Sequence, residues 1–123
     1  MVNQLIIQNM KLQEIAGTID GKIITSGHNG SMEYKLAFAS DLMSDVLTLS
    51  DDNLVLITGL ANLQTIRTAE MADINCIIFV RNKKVTKEMA ELAKESGIDI
   101  IECSYSMYRT SGLLFKSGLQ PVY

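Results

Sequence analysis

The chain is poor in the residues from which enzymes build chemistry: among 123 residues there is one histidine, one proline, two cysteines and no tryptophan. A single histidine leaves Ser or Cys nucleophiles one candidate base, and His28 falls in a His-Asn-Gly-Ser turn of the kind that faces solvent. Cys76 sits inside a predicted buried strand and Cys103 at the end of another, so both read as reduced core thiols rather than a bridge or a ligand pair. An excess of one charge is lacking too. Lys and Arg number 11 against 14 Asp and Glu, interleaved to a net charge of −3, which gives no footprint for a nucleic-acid backbone or an anionic membrane. No uncharged stretch approaches the roughly 18 residues a bilayer helix needs, and the N-terminus lacks the basic start and apolar core of a signal peptide. A cytoplasmic chain with neither nucleic-acid nor membrane partner is expected, in which the sequon Asn29-Gly30-Ser31 has no meaning. The phosphate loop is missing as well. Gly17-Thr18-Ile19-Asp20-Gly21-Lys22-Ile23 has one residue too few between its glycines, an Ile where the magnesium-binding hydroxyl belongs, and a helix rather than a strand before it.

What is present is a strand-helix-strand grammar. Leu54-Val55-Leu56-Ile57 is a short β-favouring run without charge, bounded by Asp51-Asp52-Asn53 and Thr58-Gly59, as a strand buried on both faces would be. From Asn62, a plausible N-cap, apolar Leu63, Ile66, Ala69 and Ala72 recur three apart, which predicts an amphipathic helix. Cys76–Val80 is a second strand. A helix over Thr86–Ser96 and a strand over Asp99–Glu102 repeat the pattern, so the fold class is α/β with a central, mostly parallel sheet flanked by helices.

The flanks are read the same way. Met1–Gln8 is either a short edge strand or a frayed extension. Asn9 can cap a helix carrying Leu12, Ile15, Ala16 and Ile19, which Asp20-Gly21 ends. Lys22–Ser26 and Glu33–Ala39 read as a hairpin around His28-Asn29-Gly30-Ser31. Ser40 or Asp41 caps a helix holding Leu42, Met43, Val46, Leu47 and Leu49. Ser104 or Ser106 caps a last helix that runs through Lys116 and stops at Gly118, leaving Pro121 in a tail. One domain over residues 1–123 is expected. At 47% hydrophobic and 20% charged, against a usual charged share of about a quarter, it has slightly more apolar surface than a small domain hides, which favours a homodimer.

Candidate functional residues gather at the carboxyl ends of the parallel strands, where open α/β sheets bind ligands. They are Thr58, Gly59 and Asn62 after the first core strand, Arg81 and Asn82 after the second, and Ser104, Tyr105 and Arg109 after the third, with Ser40 and Asp41 on the rim. Two arginines at such an edge suit a small anionic metabolite or nucleotide. Asp41 and Asp45, four apart at a helix start, could hold a cation or exchange protons, or simply complement the helix dipole. The seven methionines read as core filler. No catalytic residue, metal or cofactor is assigned.

The segment Ala39-Ser40-Asp41-Leu42-Met43-Ser44-Asp45-Val46 resembles the SDLLSDV segment of the DRTGG domain family. The opening helix Met10–Ala16, the acidic turn before LVLITGLAN, the IIFV strand and the KESGIDII passage ending at Ile101 follow in the family's order. The chain departs from the family at Gly59-Leu60-Ala61 and Val80-Arg81-Asn82, where the eponymous residues are expected. The resemblance implies an α/β domain similar to the N-terminal domain of HPr kinase/phosphorylase, often dimeric, found beside CBS-pair, phosphotransacetylase or CbiA-like modules or standing alone. It implies regulation or ligand sensing without catalysis, or a structural adaptor docking on a metabolic enzyme. A small metal-dependent hydrolase or transferase using Asp41 and Asp45 is the third reading.

Overall fold

A computed structural model describes residues 9–28 and 30–123; the readings made for Met1–Gln8 and for Asn29 fall outside them. In chain order, β1 (Met10–Lys11) leads into α1 (Leu12–Thr18), β2 (Lys22–Thr25), β3 (Glu33–Tyr34) and β4 (Leu36–Ala39). Next come α2 (Met43–Val46), β5 (Leu54–Thr58), α3 (Leu63–Met71) and β6 (Cys76–Phe79). The chain finishes with α4 (Lys87–Glu95), β7 (Asp99–Glu102), α5 (Met107–Ser117) and β8 (Gln120–Pro121).

The main sheet has the order β2-β7-β6-β5-β4-β8, in which β2 runs antiparallel to β7 and the other neighbours are parallel. Each step from β4 to β7 moves one place the same way through a helix, so α2, α3 and α4 cover one face. Val46, Ile66, Ala69, Met89 and Ala93 pack there on Leu54, Leu56, Ile77, Phe79 and Ile100. The return from β7 to β8 passes β6, β5 and β4 and puts α5 beside α1 on the opposite face, where Leu12, Ile15 and Leu114 meet Val55, Ile57, Ile78 and Ile101. Two covered faces explain why β5 and β6 are uncharged and wholly buried.

The helix starts follow side-chain chemistry. Asn62 accepts from the Thr65 amide at 2.9 Å, Thr86 from Met89 at 3.2 Å, and Ser106 from Arg109 at 3.1 Å. Gly118, at φ 122, ends α5. Cys76 and Cys103 are free and buried. Asp99 is fully buried, its Oδ1 accepting from the Gly27 amide at 2.7 Å and its Oδ2 from the Tyr34 hydroxyl at 2.6 Å. Burial first, then the charge of Asp99, holds the Cys76 thiol up; burial, Cys76 and the Asp99 bond together hold the Tyr34 phenol well above its ordinary range.

Four local expectations are corrected. Lys11 rather than Asn9 precedes α1, because Met10–Lys11 is drawn into a two-stranded antiparallel ribbon with Glu33–Tyr34. The hairpin does not form: β2 and β4 lie on opposite flanks with β7, β6 and β5 between them. The turn chemistry reverses the chain, but pairing is decided by which neighbour completes a buried surface, and β2 finds it in β7 and β4 in β5. The helix after Asp41 is only Met43–Val46, and neither Ser40 nor Asp41 is its N-cap, which is Leu42. Pro121 is no tail residue but part of β8, on the sheet edge where a missing N–H costs no ladder bond.

Candidate functional site

The carboxyl ends of β4, β5, β6 and β7 share one edge of the sheet. Past β4, the Ser40 amide donates to the Ile57 carbonyl at 3.0 Å and the Ser40 hydroxyl accepts from the Leu42 amide at 3.0 Å. That turn swings Asp41 over the end of β5. Its Oδ1 accepts from the Thr58 hydroxyl at 2.8 Å and the Gly59 amide at 2.7 Å, and its Oδ2 lies 3.7 Å from Nη2 of Arg81.

Arg81 reaches this point because the chain after β6 turns sharply. Arg81 and Asn82 are both left-handed, at φ 59 and 60. Their amides donate to the Tyr105 carbonyl at 2.8 Å and the Cys103 carbonyl at 3.0 Å, which holds the turn against the segment after β7. The Arg81 guanidinium then folds back over Gly59, so closely that a Cβ on Gly59 would collide with it. Tyr105 carries a second arginine: the Arg109 guanidinium sits 3.7 Å from the ring centroid, within cation–π range.

Partial burial pulls the Asp41 carboxyl upward, but the Gly59 amide, the Thr58 hydroxyl and the Arg81 charge outweigh it and hold the group below its ordinary range. Arg81 keeps 52% of its side chain in solvent. The edge therefore holds a neutralised carboxylate beneath a guanidinium with donors to spare.

Ser40, Asp41, Thr58, Gly59 and Arg81 thus form one contact network. Asn62 stands apart, with its Oδ1 occupied by the Thr65 amide and hydroxyl. Arg109 stacks on Tyr105 and is linked to Arg81 only through that residue's backbone. Asp41 and Asp45 do not share a helix face, because Asp41 precedes the helix and turns to β5 while Asp45 lies within α2. Among the described residues no group of three His, Cys, Asp or Glu side chains is placed to hold a metal. His28 is exposed. Tyr105, placed among the candidates by its strand-end position alone, serves two arginines at once, Arg81 through its carbonyl and Arg109 through its ring.

A sheet covered on both faces, with an arginine folded over the end of a central strand, defines an α/β domain with a polar edge at the carboxyl ends of its strands. The chain belongs to the DRTGG domain family, whose model matches residues 14–117. It is similar in fold to a solved structure of the CBS and DRTGG domains of the regulatory region of Clostridium perfringens pyrophosphatase, complexed with its activator diadenosine tetraphosphate. The TM-score is 0.73 at 16% identity over 88% of this chain. The match takes in 47% of that chain, so this one spans about half its length. No curated protein matches the sequence. No helix among the described residues is long and apolar enough to cross a membrane.

Proposed function

We propose that the chain is a regulatory, ligand-sensing domain without catalytic activity of its own, and that it binds a nucleotide-like anion at the carboxyl edge of its sheet. The observation that carries this reading is the Arg81 guanidinium, positioned over Gly59 and half in solvent. Asp41 already occupies the Gly59 amide, so the anion meets the outer face of Arg81 rather than the bare strand end. Ser40 lies on the rim of that approach, Thr58 acts from beneath by holding Asp41, Asn62 stands apart as the cap of α3, and Arg109 on its Tyr105 platform extends the positive rim. A nucleotide activator named with the similar CBS and DRTGG structure supports the same class of ligand.

A nucleotide at a hundredfold excess over its Kd stabilises a fold by about 2.7 kcal/mol, which raises the melting temperature of a domain this size by several degrees. ATP, ADP and diadenosine tetraphosphate are the probes. Arg81→Ala is expected to remove the rise and Lys11→Ala to leave it; an unmoved melting temperature with all three overturns the reading.

A second reading is a dimerising adaptor on a metabolic enzyme. It is favoured by Tyr108 and Phe115, one helical face of α5, which are 90% and 60% exposed, and by the pyrophosphatase regulatory region to which the fold is similar. Specific interfaces bury about 1,600 Å² in total, enough to hide such a face. Sedimentation is expected to show a homodimer at micromolar concentration, and a monomer there removes that part.

A further inference from the structure

Beside the Arg81 site, on the far side of Asn82, the same edge holds a cleft of about 320 Å³. It lies where the chain after β6 leaves for α4 on one face and the chain after β7 leaves for α5 on the other. Neighbouring strands whose connections part to opposite faces form the crevice in which open α/β sheets take ligands. Its walls come from three segments: Asp20 and Lys22 at the start of β2, Asn82 and Lys84 after β6, and Glu102 and Ser104 at the end of β7. Gly21 sets the floor, since a Cβ there would run into the Ile101 side chain and the Glu102 carbonyl, and its absence lets β2 close on β7. The hollow between β4, β8 and α5 is about 130 Å³ and lined mainly by apolar groups such as Phe38, Ile57 and Phe115. Small-molecule sites run from about 300 Å³ upward, so the polar cleft meets that size and the apolar hollow does not.

The lining carries both signs, Lys22 and Lys84 against Asp20 and Glu102, but the two carboxylates lie at different depths. Glu102 is at the bottom, its side chain 11% exposed, with Oε2 accepting from the Val85 amide at 2.7 Å and Oε1 3.8 Å from Lys84 Nζ. Lys22 pairs with Glu102 in register across β2 and β7. Among the described residues the side chains of Lys22, Asn82 and Ser104, and the carboxylate of Asp20, make no hydrogen bond or ion pair. Solvent therefore meets the unpaired Lys22 ammonium, the Lys84 ammonium with donors left over from its contact with Glu102, an amide and a hydroxyl, and one carboxylate at the rim that can only accept. A dianionic phosphate suits the donors, and a vicinal diol suits the carboxylate as ribose hydroxyls suit an acidic residue in dinucleotide folds. The geometry points to a binding site for a small phosphorylated sugar in this cleft, separate from the Arg81 site.

Titrating the full chain with ribose 5-phosphate, 2-deoxyribose 5-phosphate and inorganic phosphate, followed by amide NMR signals, tests this. Ribose 5-phosphate is expected to move the amides of Lys22, Asn82, Lys84 and Ser104. The Lys22→Ala, Lys84→Ala double variant is expected to weaken it at least about tenfold, and Asp20→Asn to erase its advantage over the deoxy sugar, while Lys11→Ala changes neither. These are surface substitutions, and unchanged spectra elsewhere check that each variant is folded. Movement confined to the Gly59 and Leu60 amides would overturn the cleft and leave the Arg81 reading standing. No movement at millimolar ribose 5-phosphate, or binding no tighter than that of inorganic phosphate, would overturn the assignment outright.

Discussion

Tyr34 and Asp99 meet inside the protein, hydroxyl to carboxylate at 2.6 Å, tying the short β3 to the amino end of β7 across 65 residues of chain. The carboxylate has one other donor, the Gly27 amide. Removing the phenol oxygen leaves one buried carboxylate oxygen without a donor, which costs about 1–3 kcal/mol. Tyr34→Phe is therefore expected to lower the urea midpoint with an unchanged slope and the melting temperature by about 4 °C or more. Unchanged stability would show that the bond contributes nothing net.

Asp41 links stability to pH. Its folded carboxyl titrates below its ordinary value because the Gly59 amide, the Thr58 hydroxyl and Arg81 favour the charged form over the opposing effect of burial. The stabilisation is therefore fully present above the unfolded pKa of about 3.9 and is lost as pH falls through the lower folded value. Thermal melts are expected to show an acid limb below about pH 4 that Asp41→Asn flattens, with the variant less stable than the parent at neutral pH. Identical acid limbs in both proteins would count against this role.

Gly59→Ala separates fold from site. The added methyl meets the end of a flexible arginine rather than backbone, so the guanidinium swings away at little cost. Stability within about 0.5 kcal/mol of the parent is expected, with the nucleotide-induced rise in melting temperature lost. A large destabilisation would show that Arg81 is anchored more firmly than its exposure implies.

Asn62 holds the start of α3 through its side-chain oxygen. Asn62→Ala is expected to cost about 1 kcal/mol in chemical denaturation, and Asn62→Asp, which keeps the acceptor, much less. Equal losses from both would point to a role for the amide nitrogen beyond the cap.

The elements legible in the sequence were those whose signal is local. Uncharged runs gave β5 and β6 within a residue, the repeated strand-helix pattern gave β7, and Asn62, Thr86 and the second of the Ser104/Ser106 pair mark three helix starts. Pairing was not legible at the flanks. Nothing in Lys22–Thr25 says that its partner is Asp99–Glu102, more than seventy residues on, whereas the His28–Ser31 turn argues strongly for the wrong neighbour. The candidate site divides in the same way. Strand ends placed Thr58, Gly59 and Arg81 on one edge, but the closure of Asp41 onto Gly59 depends on two parallel strands in register, and the cleft around Lys22 depends on that distant antiparallel pairing.

Both margins of the main sheet are blunt. On one side β8 offers two residues, the second a proline that cannot donate; on the other, β2 begins with a lysine and carries an irregularity between Ile23 and Thr25 that breaks its ladder. Exposed strand margins are templates for adding further strands, and short length, proline, charge and bulges each discourage it. Copies of this chain are thus steered away from growing edge to edge into filaments, and self-association is left to helical faces and loops, where it can close on itself and stop.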